Sequence, residues 1–96
     1  MLRAMATVEL TSHLYQFFPA LKGQTLSVPA QTVKEVVQGI EALAPGFAFY
    51  VCDEAGRVRQ HVNIFVGEER IRDRATLTDR VGPESRVFIL QALSGG

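Results

Sequence analysis

The side chains able to do chemistry are few and scattered. His13 and His61 are the only histidines and Cys52 is the one cysteine. His61 adjoins the alternating run Val62-Asn63-Ile64 with the parity of the opposite face, which marks a surface position rather than a general base. Cys52 follows an apolar run and reads as a small buried hydrophobe, not an activated thiol. Asp53-Glu54 are adjacent carboxylates in a turn and are expected to be solvated rather than to form an acid–base pair. The glycines fall one to a turn, so none of them builds a phosphate-cradling loop. A lone cysteine makes neither an internal disulfide nor a zinc cluster, and reducing, cytoplasmic residence is the expectation. With no catalytic constellation and no metal site, the chain is not expected to be an enzyme by itself.

What the sequence does single out is its end, Leu93-Ser94-Gly95-Gly96. Small residues also occur at frayed termini, so the pair alone decides nothing. Two residues without Cβ nevertheless make a thin strip that a narrow channel can admit, and such a strip delivers its own α-carboxylate. A carboxylate is a poor electrophile and must be activated first. Adenylation by a partner would attach AMP as a leaving group, and a sulfur donor could displace it to leave a thiocarboxylate on Gly96. No side chain of this chain need act as acid or base in that sequence.

The elements that would carry such a tail follow from periodicity. Thr7 to Thr11 and Gln24 to Val28 alternate polar and apolar, the pattern of half-buried strands, with turn chemistry at Pro19 to Gly23. Between them, His13 to Phe18 is either an irregular connection or an extension of the first strand. Val33, Val36, Val37, Ile40 and Leu43 recur at helical spacing, and Thr32 with Glu35 forms a capping box at the start of that helix. Pro45-Gly46 ends it. Phe47 to Val51 is a short strand or a helical turn. Gln60 to Val66 is a strong strand, Glu69 to Arg72 returns as a hairpin arm, and Thr76 to Val81 is a polar connector. Arg86 to Gln91 is the last strand. Four or five strands with one main helix make an α+β two-layer domain in which the helix covers one face of a mixed sheet.

Composition narrows the partners. The 96 residues, 47% hydrophobic, are enough for one domain with its own core. Ten basic and ten acidic residues cancel, so no field holds a polyanion, and nucleic acid is not an expected partner. No stretch approaches the roughly 20 apolar residues of a membrane span. Seven of the eight arginines lie from Arg57 to Arg86 among five acids, which reads as a salt-bridge-laced surface or, failing that, a partner-facing basic patch.

The order of elements and the Gly-Gly end resemble the ThiS/MoaD-type β-grasp sulfur carriers, relatives of ubiquitin. The similarity is most specific in His61-Val62-Asn63-Ile64-Phe65-Val66-Gly67-Glu68-Glu69-Arg70-Ile71-Arg72 and in Val87 to Gly96, and it covers most of the chain. It implies a ubiquitin-like β-grasp over residues 1–96 with a flexible C-terminal tail. It also implies that Gly96 is adenylated and thiocarboxylated, while Gly95, with Ser94 and Leu93 before it, keeps the tail narrow. The implied partners are a ubiquitin-activating-type adenylating enzyme that uses ATP, a sulfur donor and a sulfur-accepting synthase, with no cofactor bound by the chain itself. The acceptor is left open among molybdopterin, thiazole, cysteine, thiolated tRNA and a secondary metabolite.

One further expectation comes from parity. With Val62, Ile64, Val66, Val87 and Ile89 turned to the helix, Phe65, Phe88 and Leu90 point the other way. Either a loop such as Phe47 to Cys52 covers them or they form an apolar patch beside the tail, suited to docking a partner enzyme. Conjugation of Gly96 to lysines of target proteins, as by a ubiquitin-like modifier, is the competing function. A third reading is an adaptor subunit whose tail stays inserted in an enzyme.

Overall fold

The alternating segments become strands and the 3.6-period segment becomes a helix. A computed structural model of the chain describes residues 5–23 and 25–91. In order these form β1 (Met5–Leu10), α1 (Ser12–Phe17), a 3-10 turn (Pro19–Leu21), β2 (Leu26–Pro29), α2 (Val33–Leu43), α3 (Phe47–Val51), β3 (Val62–Val66), β4 (Glu69–Arg70) and β5 (Arg86–Gln91). The five strands make one mixed sheet in the order β2-β1-β5-β3-β4. β1 pairs antiparallel with β2 and parallel with β5, while β3 pairs antiparallel with both β5 and β4.

Inward residues alternate as the period demands. Ala6, Val8, Leu26, Val28, Val62, Ile64, Val87 and Ile89 are buried on the face that meets Val33, Val36, Val37 and Ile40 of α2. Leu43, expected in that stripe, is exposed; the helix ends there and buried Ala44 turns inward in its place. The start of α2 is capped as its sequence suggests, since Thr32 Oγ1 accepts from the Glu35 N–H at 3.3 Å. The Glu35 carboxylate reaches one residue further back than a capping box requires and accepts from the Gln31 N–H at 2.8 Å.

Several expectations are corrected. His13 to Phe18 is neither irregular nor strand: it contains α1, whose Leu14 is fully buried. Phe47 to Val51 is α3, packed beside α2 with Phe47 and Val51 in the core, so it does not fold over the opposite sheet face. The hairpin arm stops at Arg70, after which Ile71 is buried. The connector after it is not merely polar, because Leu77 and Val81 are buried and the segment docks on the start of α2. There the Val33 and Lys34 N–H groups donate to the carbonyls of Asp79 and Leu77, both at 3.0 Å, which satisfies two of the helix's orphan amides. Nor is the arginine-rich stretch laced with salt bridges. Among the described residues one ion pair forms, Arg86–Glu9 at 3.9 Å. Arg59 donates instead to the Phe49 carbonyl (2.9 and 3.0 Å), and Arg74 donates to the Arg59 carbonyl (2.7 Å). Of the acids expected to pair with them, Asp73 and Asp79 serve backbone amides instead.

Asp73 is the fullest case. Its carboxylate accepts from the N–H groups of Ala75, Thr76 and Thr78 and from the hydroxyls of Thr76 and Thr78. The Thr76 hydroxyl first, then that of Thr78 and the Thr76 amide, hold it well below the usual carboxylate range. A carboxyl depressed in the folded state stabilises fully above its unfolded value of about 3.9 and loses that contribution as pH falls toward the folded value. Asp73→Ala should therefore lower the melting temperature at neutral pH, and its deficit against wild type should shrink on acidification below about pH 4. Melting curves across pH 2 to 7 check this.

Gly39 sets the distance between α2 and the sheet. A Cβ at this position would lie 2.9 Å from Val28 Cβ on β2, a branch-point atom that cannot swing away. Helix propensity alone would make Gly39→Ala stabilising by about 1 kcal/mol. The overpacking cost of about 1–3 kcal/mol should exceed that gain and leave the variant less stable by up to about 2 kcal/mol in urea denaturation.

Candidate functional site

The site is built around the end of β5. As the central strand, β5 has β1 on one side and β3 on the other, so its backbone is fixed from both flanks and its side chains divide between the two faces of the sheet. Val87 and Ile89 are fully buried under α2, and Phe88 and Leu90 point to the open face. Phe65 of β3 stands directly opposite Phe88. The register continues outward to Glu9 of β1 beside Phe88 and Arg70 of β4 beside Phe65. One row across four strands therefore reads Glu9, Phe88, Phe65, Arg70: an aromatic pair between two opposite charges. The Arg70 guanidinium lies over the Phe65 ring, 5.7 Å from its centroid. Phe65 and Phe88 are half-buried, while Leu90, opposite Asn63, is 40% exposed.

Beyond Leu90 the strand ends at Gln91, at the rim of a shallow depression lined by Phe49, Tyr50, Arg59 and His61. Arg59 stacks on Phe49, 5.0 Å from the ring centroid, and Phe17 packs on Tyr50 at 5.3 Å. Phe17 and Phe49 are the most exposed large apolar side chains among the described residues. Neither is legible as such in the sequence: Phe17 lies in a stretch that reads as an irregular connection or a strand extension, and Phe49 in one that reads as a short strand or a helical turn. His13 bonds through Nε2 to Gln91 Oε1 at 3.1 Å, so one of the two histidines sits at the root of the tail and the other lines the depression beside it.

The remaining candidates have structural roles. Cys52 is buried, and burial first, then the neighbouring Asp53 carboxylate, pushes its thiol upward, away from thiolate chemistry. Asp53 Oδ1 accepts from the Ala55 and Arg57 N–H groups at 2.9 and 3.0 Å and closes a turn. Among the described residues no three His, Cys, Asp or Glu side chains cluster as a metal site would need, and no helix is long and apolar enough to cross a membrane. Leu93, Ser94, Gly95 and Gly96 lie outside the described residues.

No protein-family model matches the chain, and no curated protein matches it. Solved structures do. CysO of Mycobacterium tuberculosis is 27% identical, the match covering 92% of this chain and 99% of that one with a TM-score of 0.77. A chain of the BexX/CysO complex of Amycolatopsis orientalis aligns at 23% identity and a TM-score of 0.79, over 95% of this chain and 99% of the other. Small archaeal modifier protein 1 of Methanosarcina acetivorans aligns over the whole of both chains at 19% identity and a TM-score of 0.76. The chain has the ubiquitin-like β-grasp fold. Its structural neighbours are sulfur-carrier and modifier proteins of that fold, in keeping with the ThiS/MoaD-type resemblance.

In this β-grasp sheet the outward residues carry little of the fold. Leu90→Ala, at a position 40% exposed, should cost less than about 1 kcal/mol, whereas Ile89→Ala, fully buried, should cost about 2–5 kcal/mol. Urea denaturation of the two variants checks the assignment of faces; equal losses would contradict it.

Proposed function

We propose that the protein is a sulfur carrier whose reactive group is the α-carboxylate of Gly96. A ubiquitin-activating-type enzyme docks on the open sheet face at Phe65, Phe88 and Leu90 and takes the Gly95-Gly96 end into its active site. The carboxylate oxygen attacks the α-phosphorus of ATP, pyrophosphate leaves, and an acyl-adenylate forms. A hydrosulfide-equivalent donor then attacks the carbonyl carbon; the C–O bond to AMP breaks, and a thiocarboxylate remains. That sulfur passes to a synthase of cofactor or metabolite biosynthesis. The observation that carries the reading is a β-grasp sheet whose central, last strand leads within five residues to Gly95-Gly96. The 27% identity to CysO along nearly the whole chain supports it.

The likeness to small archaeal modifier protein 1 favours a second reading, in which the same activated Gly96 forms an isopeptide bond with a lysine of a target protein.

Incubation with an adenylating enzyme of this type, ATP and sulfide should raise the intact mass by one oxygen-to-sulfur exchange, located on Gly96. Deleting Gly96 should abolish the gain, and Gly95→Val should do the same by widening and stiffening the strip, with circular dichroism unchanged in both. A truncated chain that still acquires sulfur would refute the assignment. Lysine adducts in place of a thiocarboxylate would establish the modifier reading.

A further inference from the structure

Thr11 is the N-cap residue of α1, yet its side chain makes no hydrogen bond to that helix. An N-cap threonine ordinarily gives its hydroxyl to an orphan amide of the first turn, a bond whose loss costs about 1 kcal/mol. Here Thr11 Oγ1 accepts from the backbone N–H of Gln91 at 2.8 Å, eighty residues along the chain. The Thr11 N–H donates to the Ile89 carbonyl at 3.1 Å. At the second residue of α1, His13 Nε2 meets the Gln91 side-chain oxygen at 3.1 Å; its Nδ1 is buried without a partner among the described residues. On the other flank Gln91 pairs with Val62. The parallel ladder between β1 and β5 has run out by then, at Leu10↔Ile89. Thr11 and His13 thus prolong the grip on β5 by two residues beyond its last β1 partner, using side chains where strand backbone has ended.

We propose that Thr11 and His13 are positioning residues for the chemistry of the C-terminal tail, an inference that rests on the sulfur-carrier reading. They hold both the backbone and the side chain of Gln91, where β5 ends. Five residues follow it, so the reach of Gly96 from the fold is at most about 17 Å. A docked enzyme then receives the carboxylate from a fixed root at a fixed range, which raises its effective concentration at the reacting phosphorus. When the clamp is lost, Gln91 is held from the β3 flank alone and the point of departure toward Gly96 is no longer fixed, while the docking face stays intact.

The test uses the full chain with Thr11→Val, which keeps the shape and removes the acceptor, Gln91→Leu, which removes the histidine's partner, and Thr11→Ser, which restores a hydroxyl. Amide hydrogen exchange at Gln91 should quicken at least tenfold in Thr11→Val and stay slow at Ile64 and Val87. Pyrophosphate release by an adenylating enzyme of the ubiquitin-activating type should show kcat reduced about three- to tenfold with KM unchanged in Thr11→Val and Gln91→Leu, and recovery in Thr11→Ser. Exchange that quickens while kcat holds would overturn the positioning role, as would a rise in KM with kcat constant. A wild type that releases no pyrophosphate would instead sink the carrier reading, and with it this role, even where exchange shows the clamp intact.

Discussion

The parallel pairing of β1 with β5 is the contact on which the rest of the structure depends. A parallel pair cannot be closed by a tight turn, so everything between Leu10 and Arg86 serves as its crossover. The pairing puts the last strand in the middle of the sheet rather than at an edge. From that placement follow the full burial of Val87 and Ile89, the opposite parity of Phe88 and Leu90, and an exit at Gln91 held by neighbours on both flanks. An edge strand in the same position would leave the root of the tail bonded on one side only.

The helix makes its own demand on that sheet. α2 approaches β2 so closely that Gly39 has no room for a methyl group, and the connector from Arg72 to Val81 must bend back to supply carbonyls to the helix's first amides. Leu77 adopts a positive φ of 54° within that bend, a costly conformation for a bulky residue. Its burial and the bond its carbonyl accepts from the Lys34 N–H offset the strain. The connector looks polar in sequence because its polar groups are spent inward on its own backbone: Asp73 and Asp79 together accept from the amides of residues 72, 73, 75, 76 and 78.

Much of this was legible residue by residue. Period-two alternation gave the correct facing of Phe65, Phe88 and Leu90, and period 3.6 with Thr32 found α2, because both are local consequences of one-sided burial. α1 was not legible. His13-Leu14-Tyr15-Gln16-Phe17-Phe18 is rich in residues that suit strands, and only tertiary packing of Leu14 and the end of β1 at Leu10 make it helical. The grip of Thr11 on Gln91 spans nearly the whole chain, and no spacing rule reaches that far. Gly39 carried no signal either, since one glycine inside a helical stripe looks like a tolerated weakness rather than a point of contact. The arginines misled for a related reason: charge counting assumes that carboxylates are free to pair, and here the connector had claimed Asp73 and Asp79.

The central position of β5 also bears on how the molecule is made. While a ribosome is still translating this chain, β1, β2 and α2 emerge first and β3 follows, each with an inner edge of unpaired amides and carbonyls. The strand that fills the gap is the last to leave the exit tunnel. Until residues 86–91 are out, the nascent chain consists of two part-sheets that no strand pairing joins, and it is most exposed to aggregation and to chaperones in that interval. Insertion of β5 closes the sheet in one step and fixes Gln91 between its two flanks in the same step.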